Sequence, residues 1–473
     1  MDKQARARTW IWFSVLLSVS TALRIYRLDM GFWMDEVITI TEFVRKPWLI
    51  IITQVPFPNN HILYTLLAKL SVSIFGEKEW SARLPAMIIG SFIPPVAYLV
   101  FRKRFSEYAA VCAGIFLCLN FWSVWFSQDA RGYSALILFS LLSTNFLTDY
   151  LEKRRSRPAV YYLICAALCV WFYLYALFVI AGQLLWALIM TGRKKISPGM
   201  VLPIILSGIL GLMLYAPSLE KLWHYAISQQ KMASLHSVNL IFLRELLSML
   251  AGLKNHDAII CLTLAALLGL GSGFKRWPGF FFISLVSGLG IILFTLLAGV
   301  FIYARFLAFL LPAFALGMAL ALDFWKIPAR FLKTPGRLFN TLLKALKLAL
   351  VICLILICGL LTFWLRQYYI FGKQGFRDAA EWLKARPAGQ QVICYGIICQ
   401  ELAYYFPDKM IELSEKQKLD PDFIKGKVII SRRNDWTADN LELAATHCFS
   451  AKVWPSAGYK ENLLLLLNCP GQD

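Results

Sequence analysis

Five short segments hold the residue types and spacings that could do chemistry. GFWMDEVITI (31–40) sets Asp35 and Glu36 side by side behind an aromatic stretch. Adjacent acids at an apolar edge are partly desolvated, which raises a carboxylate's basicity and suits it to accept a proton. The plainer alternative is a pair of solvated acids favouring a helix N-terminus. NNHILY (59–64) brings Asn60 and His61, one of five histidines. Alone, a loop histidine is more often a structural hydrogen-bonder than a ligand. FGEKEWSARLPA (75–86) puts Arg83 just before Pro85, either as a functional cation or as an interfacial anchor. WFSQDARGYSAL (125–136) places Asp129, Arg131 and Tyr133 in a very short turn between apolar runs. Charges there are costly unless used or paired. FIYARFLAFLLPA (301–313) carries Tyr303 and Arg305, with no acid within fifteen positions of Arg305. A permanently charged, planar guanidinium in such a place suits a phosphate, unless it only snorkels to the headgroups. No Gly-rich phosphate loop, H-E-x-x-H or nucleophile elbow is present. Group transfer from a lipid-phosphate donor is the economical chemistry for what remains.

The elements that must position these residues are membrane spans. The chain has 473 residues, of which 59% are hydrophobic and 16% charged. Average soluble proteins have about 45–50% and about 25%, so a soluble enzyme, a disordered chain and a small disulfide scaffold are excluded. Long unalternating apolar runs argue against an outer-membrane barrel. Runs fall at about 9–24, 85–101, 108–125, 132–150, 158–174, 176–191, 199–216, 257–272, 279–298, 304–322 and 348–365. Each is near the roughly 20 residues that cross a bilayer. The expectation is an all-α polytopic membrane protein of about 11 transmembrane helices.

The net charge of +20 follows topology rather than nucleic acid. Residues 1–365 hold 34 Lys+Arg against 15 Asp+Glu, while residues 366–473 hold 14 against 13. The basic clusters are Lys3–Arg8, Arg102–Arg104, Lys153–Arg157, Arg193–Lys195, Lys275–Arg276 and Lys326–Lys347. Alternation of the spans puts all of them on one side, which the positive-inside rule makes cytoplasmic. The N-terminus is then inside, span one is retained rather than cleaved, and the C-terminal tail is outside. The segments 25–84, 126–131 and 217–256 share the tail's side, so Asp35, His61, Asp129 and Arg305 face one way. No repeat or inverted symmetry is visible.

The domain expectation is therefore a membrane catalytic domain at 1–365, with an outer loop at 25–84, and a soluble extracytoplasmic α/β domain at 366–473. In the tail, 374–386 and 435–447 read as helices, the second with Thr437 as cap. QQVICYG (390–396), MIEL (410–413), KVIISR (427–432) and LLLLLN (463–468) read as strands. Seven of the eleven cysteines lie in spans, as small hydrophobes. Cys394, Cys399, Cys448 and Cys469 lie in the tail and are open to two readings, disulfides or buried thiols.

The order WMDE, N-x-H-x-L-Y, FG-x-x-EWSARLPA, SQDARGYSALILFSLLS and ARFLAFLLPA resembles the bacterial GT-C glycosyltransferases. These are similar to the protein O-mannosyltransferases and the lipid A aminoarabinose transferases. The likeness spreads over about residues 9–320 and implies a GT-C-like fold. It also implies an enzyme of the bacterial inner (plasma) membrane that takes sugar from a polyprenyl-phosphate carrier on the outer face. The acceptor would be an extracytoplasmic glycan, lipid or protein, reached among membrane lipid and without nucleic acid. By motif, Asp35 would be the general base, supported by Glu36. Asp129 would be a second acid, orienting acceptor or holding a metal. Arg305, Tyr303, Arg131 and Arg83 would bind the carrier phosphate; His61, Asn60 and Tyr133 would contact substrate. His61 stands where the family often has the His of an H-P-P-L-Y motif, without the prolines. Relatives often carry a histidine in the fifth-to-sixth span region, where this chain has WFYLYALF (171–178). No cofactor is implied beyond a possible divalent metal ion, with Asp35, Glu36 and Asp129 as oxygen ligands.

Direct displacement would invert the sugar's anomeric centre, with phosphate as leaving group. The competing readings are a flippase or transporter of a lipid-linked saccharide and a glycan ligase or polymerase. A flippase favours charges deep in the spans and internal symmetry, and the span interiors here are nearly charge-free. A ligase would rely on outer-loop arginines and a histidine more than on an acid pair.

Overall fold

A computed structural model describes residues 3–53, 60–228, 238–322, 337–385, 390–396, 398–407, 410–456 and 464–470. All eleven apolar runs fall on helices. Among the described residues, seven helices are long and apolar enough to cross a membrane, and one bent helix pair brings the number to eight when it is counted as one span. The remaining three runs are Lys3–Ile25 and the 17-residue helices Ser156–Phe172 and Ala176–Gly192. The basic positions Lys326, Arg330 and Lys333 lie outside the described residues. Compactness divides the chain into two units. The first takes residues 1–26, 46–76 and 81–365; the second takes 27–45, 77–80 and 366–473.

In the first unit, the run read as one straight span at 108–125 is bent. Glu107–Leu119 and Phe121–Ser127 meet at 62°. Asn120 sits at the break, where its side chain accepts from Ser123 N at 3.0 Å and so caps the second helix. Its amide donates to Leu250 O at 3.1 Å. The expected outer loop 25–84 is largely helical. It contains Met34–Thr39, a π-turn at Ile40–Val44, Trp48–Thr53 and the apolar Ile62–Phe75. Fourteen residues rise about 21 Å, too short for a bilayer core, so Ile62–Phe75 carries no span signal.

The second unit is built around a five-stranded sheet in the order β2-β1-β3-β5-β4. The strands are β1 (Val392–Tyr395), β2 (Ile411–Leu413), β3 (Val428–Arg432), β4 (Phe449–Trp454) and β5 (Leu464–Asn468). β1 runs parallel to β2 and β3, while β5 is antiparallel to β3 and β4. Alternation along β1 sends Val392 and Cys394 to one core, with Phe376, Leu402 and Phe406, and Ile393 and Tyr395 to the other, with Leu419 and Ile424. Thr437 caps Ala438–His447, accepting from Asn440 N at 3.3 Å. The strand β4 carries no clear sequence signal, because exposed Ser450 and Lys452 and a bulge between them break its pattern. The four tail cysteines form two disulfides, Cys394–Cys399 and Cys448–Cys469.

Candidate active site

In the first unit, the turn 128–132 is held from the end of the first helix. Arg24 is fully buried in its last turn. Its Nε donates to Ser127 Oγ and its Nη2 to Ser123 Oγ, each at 2.9 Å. Gln128 Nε2 donates at 2.8 Å to Arg24 O and Tyr26 O, serving carbonyls that a helix end leaves unpaired. Asp129, Arg131 and Tyr133 are thereby buried together.

His61 meets this turn from the N-terminus of Ile62–Phe75. Gly132 N donates to its Nδ1 at 2.9 Å, and Arg131 Nη2 lies 3.0 Å from its Nε2. Gly132 is required sterically, since a Cβ there would stand 2.4 Å from Phe172 O and 2.9 Å from His61 Nδ1. Burial first, then the charges of Arg131 and Arg305, hold the imidazole well below its ordinary range. The ring is therefore neutral, with Nδ1 as the acceptor from Gly132 N and Nε2 as the nitrogen beside Arg131.

Aromatic rings line the route from Arg131 to Arg305. Tyr133 lies 5.3 Å from both His61 and Tyr173. Tyr173 is 6.2 Å from Phe306 and Tyr175 is 4.7 Å from it. Phe306 is 5.6 Å from Tyr303, over whose ring the Arg305 guanidinium sits at 4.3 Å. The charges of both arginines reach Tyr173 as well as His61. The arrangement offers planar cations beside neutral hydroxyl and imidazole groups, which is the chemistry of an anion site.

Arg83 and Asn60 are also buried in this unit. Asn60 has structural work: its amide donates to Ile51 O at 2.8 Å and its oxygen accepts from Thr65 Oγ1 at 3.0 Å. Tyr173 and Tyr175 are site residues that motif reading missed. Their signal was present, as the polar interruption of an otherwise unbroken apolar run.

Asp35 and Glu36 belong to the second unit, on Met34–Thr39. Both are buried. Glu36 is committed to structure: Oε2 accepts from Trp33 N at 3.3 Å, and Oε1 pairs with the fully buried Lys373 Nζ at 3.3 Å. Gln374 Oε1 accepts from Met34 N at 2.8 Å. Tail residues 373 and 374 thus fix the helix that carries Asp35. Among the described residues, no group of three or more His, Cys, Asp or Glu side chains is arranged to hold a metal ion. The divalent ion left open by the sequence has no such protein cage there.

Comparisons with known proteins agree with this architecture. Residues 58–220 match the family model "Dolichyl-phosphate-mannose-protein mannosyltransferase", about a third of the chain. Among curated proteins none matches. ArnT from Cupriavidus metallidurans, solved bound to undecaprenyl phosphate, is similar with a TM-score of 0.52 and 11% identity over 99% of this chain and 100% of that one. The archaeal oligosaccharyltransferase AglB from Archaeoglobus fulgidus was solved with an inhibitory peptide and a dolichol-phosphate. It is similar with a TM-score of 0.53 and 12% identity over 94% of this chain and 71% of that one. The chain thus shares its fold with these membrane proteins, and residues 58–220 are similar to the mannosyltransferase family model.

Proposed function

We propose that this protein transfers a sugar from a polyprenyl-phosphate carrier to an extracytoplasmic acceptor, with inversion at the anomeric carbon. The observation that carries the reading is the action of Arg131 and Arg305 on one neutral histidine. Two guanidinium groups beside His61 and Tyr173 suit a phosphate ester more than a neutral sugar. The proteins of similar fold that bind undecaprenyl phosphate or dolichol-phosphate support a lipid carrier. The basic clusters support an N-terminus in the cytoplasm of a plasma membrane and a tail outside it.

Asp35 is the base. It takes the proton of an acceptor hydroxyl as that oxygen attacks the anomeric carbon. The carrier phosphate leaves with the bonding electrons, and Arg305 and Arg131 meet the charge it gains. Phosphate is a good leaving group, so no strong acid is required. Asp129 orients the acceptor or supports Arg131 from the turn they share.

The test is transfer of labelled sugar from a polyprenyl-phosphate sugar in membranes. Asp35→Asn is expected to lose about 100-fold to 10,000-fold in rate, the usual worth of a positioned base. Arg305→Ala is expected to lose about 100-fold to 1,000-fold. Full activity in both variants at normal expression sinks this scheme. Altered sidedness of the lipid-linked sugar without transfer favours a flippase.

A further inference from the structure

Three of the basic clusters meet around a cavity that the transfer scheme leaves unused. Arg154, Lys195 and Arg276 line a space of about 300 Å³. Each comes from a different connection, after the helices Tyr133–Lys153, Ala176–Gly192 and His256–Arg276. The cavity belongs to the first unit and lies far from His61. Helix Tyr133–Lys153 begins beside that histidine and ends at the cavity, and its 21 residues rise about 30 Å.

The lining is held in place. Arg154 adopts φ +52°, in the left-handed region that favours glycine. Its N donates to Tyr150 O at 2.9 Å and its Nη2 to Lys195 O at 3.2 Å. The second bond ties two of the connections together. Lys194, also left-handed at φ +57°, leads into Lys195. The third connection starts helix Pro278–Ala298, whose N-terminal end adds partial positive charge. Trp277 forms a buried wall there. Its Nε1 donates to Thr148 Oγ1 at 3.0 Å, and the Arg104 guanidinium sits over its ring at 4.3 Å. Gly279 makes room for a second indole, since a Cβ there would stand 2.8 Å from Trp186 Nε1.

The nearby acids are spent on other cations. Asp149 pairs with Lys153 at 2.9 Å, Arg104 at 3.2 Å and Lys103 at 3.5 Å. Glu152, the one carboxylate in the lining, lies 3.8 Å from Arg104. Among the described residues no carboxylate pairs with Arg154, Lys195 or Arg276, and all three are exposed. The lining thus carries three positive charges against one negative. Arg193, Lys194 and Lys275 share these connections without lining the cavity, so sidedness alone does not require the convergence. Guanidinium groups suit a phosphodiester. The rest of the lining favours a lipid over a soluble anion, because Met190, Ile196 and Trp186 are apolar. Helices Ala176–Gly192 and Pro278–Ala298 pack through Trp186 and Phe282 at 5.4 Å and through Phe178 and Phe294 at 5.5 Å. Beside that seam Leu188 and Leu285 are exposed. An outward apolar surface therefore starts within about two turns of the cations.

We propose that this cavity binds the headgroup of an anionic phospholipid. Arg154, Lys195 and Arg276 hold its phosphodiester, and its acyl chains lie along the seam between the two helices. The lipid is a resident ligand that pins the three connections, separate from any carrier used in transfer. The site does not depend on the transfer scheme; only the choice of leaflet rests on the sidedness argued from the basic clusters.

The test is native mass spectrometry of the full chain, released from detergent after incubation with equimolar dioleoyl phosphatidylglycerol and dioleoyl phosphatidylcholine. Wild type is expected to retain one phosphatidylglycerol in preference to phosphatidylcholine. Lys195→Gln with Arg276→Gln should retain it roughly 30-fold less, the worth of two cations to an anionic lipid. Arg193→Gln with Lys275→Gln removes equal charge from the same two connections outside the cavity, and should match wild type. Glu152→Gln should retain the lipid more tightly, having lost the one opposing charge. Excess inorganic phosphate should leave the adduct in place, since it has no acyl chains to bind the seam. Equal loss in the two double variants, or equal retention of the two lipids, overturns the proposal. Displacement by inorganic phosphate also overturns it and makes the ligand a soluble anion. If the first double variant does not insert, the lipid competition and Glu152→Gln still decide, and retention in Glu152→Gln no higher than in wild type then overturns the site.

Discussion

The surroundings of His61 and of Asp35 are both buried, and they are opposite in kind. Around His61 the charges that reach the ring come from Arg131 and Arg305, and the partners between them are neutral tyrosines. In the unit that carries Asp35 the buried charged groups include Glu36, Glu401 and Asp435, with Lys373 against Glu36 and Arg432 against Asp435. The first arrangement disfavours a proton and favours an anion. The second, through burial above all, favours a proton on the Glu401 carboxyl. The two sets of residues are carried by different compact units. Burial strengthens each sign, because low dielectric magnifies whatever charge is left uncompensated.

The contrast can be broken most severely at the Glu36–Lys373 pair. Lys373→Met leaves a fully buried carboxylate without its cation, and is expected to destabilise the second unit by about 3–5 kcal/mol. Denaturant unfolding followed by tail tryptophan fluorescence checks it, and Glu36→Gln added to Lys373→Met should recover part of the loss. A near-silent Lys373→Met would mean that Glu36 is not held by charge.

Arg131→Ala tests the cationic side. It should lower transfer by about 100-fold to 1,000-fold and weaken capture of a polyprenyl phosphate, while leaving unfolding of the second unit unchanged. Arg131→Lys should recover only part of the activity, since an ammonium lacks the planar fork. Equal rates for wild type and both variants would remove Arg131 from the anion site.

Gly132→Ala sharpens the comparison with the smallest change. The new methyl meets Phe172 O and His61 Nδ1, so a cost of about 1–3 kcal/mol in detergent melts is expected. Activity should fall with it, because the same backbone amide holds the histidine beside Arg131.

Much of this was legible in the sequence, for identifiable reasons. Span positions follow from apolar length, and all eleven runs are helical. The strands at 392–395 and 428–432 announce themselves by buried β-branched residues and cysteine, and Thr437 by its capping type. Arg131, Tyr133 and His61 were marked as charged or polar groups in apolar company, and the fold brings those three together. Four features escaped. The Asn120 bend has no proline to mark it. Helix Ile62–Phe75 is too short to read as a span. β4 is an edge strand with polar interruptions. Glu401 looks like any glutamate on a seven-residue helix.

The sequence by itself determined that the chain fills a bilayer, where its basic loops fall, and which residue types are available to bind phosphate and take a proton. Those are additive properties of neighbouring residues. Only the tertiary structure decided which acid stays committed and which stays responsive. Glu36 is neutralised by a lysine 337 positions away, and Glu401 is raised first by its burial in the folded unit and only then by distant acids. A carboxyl group's proton affinity is set by what surrounds it in three dimensions, and no local pattern encodes that.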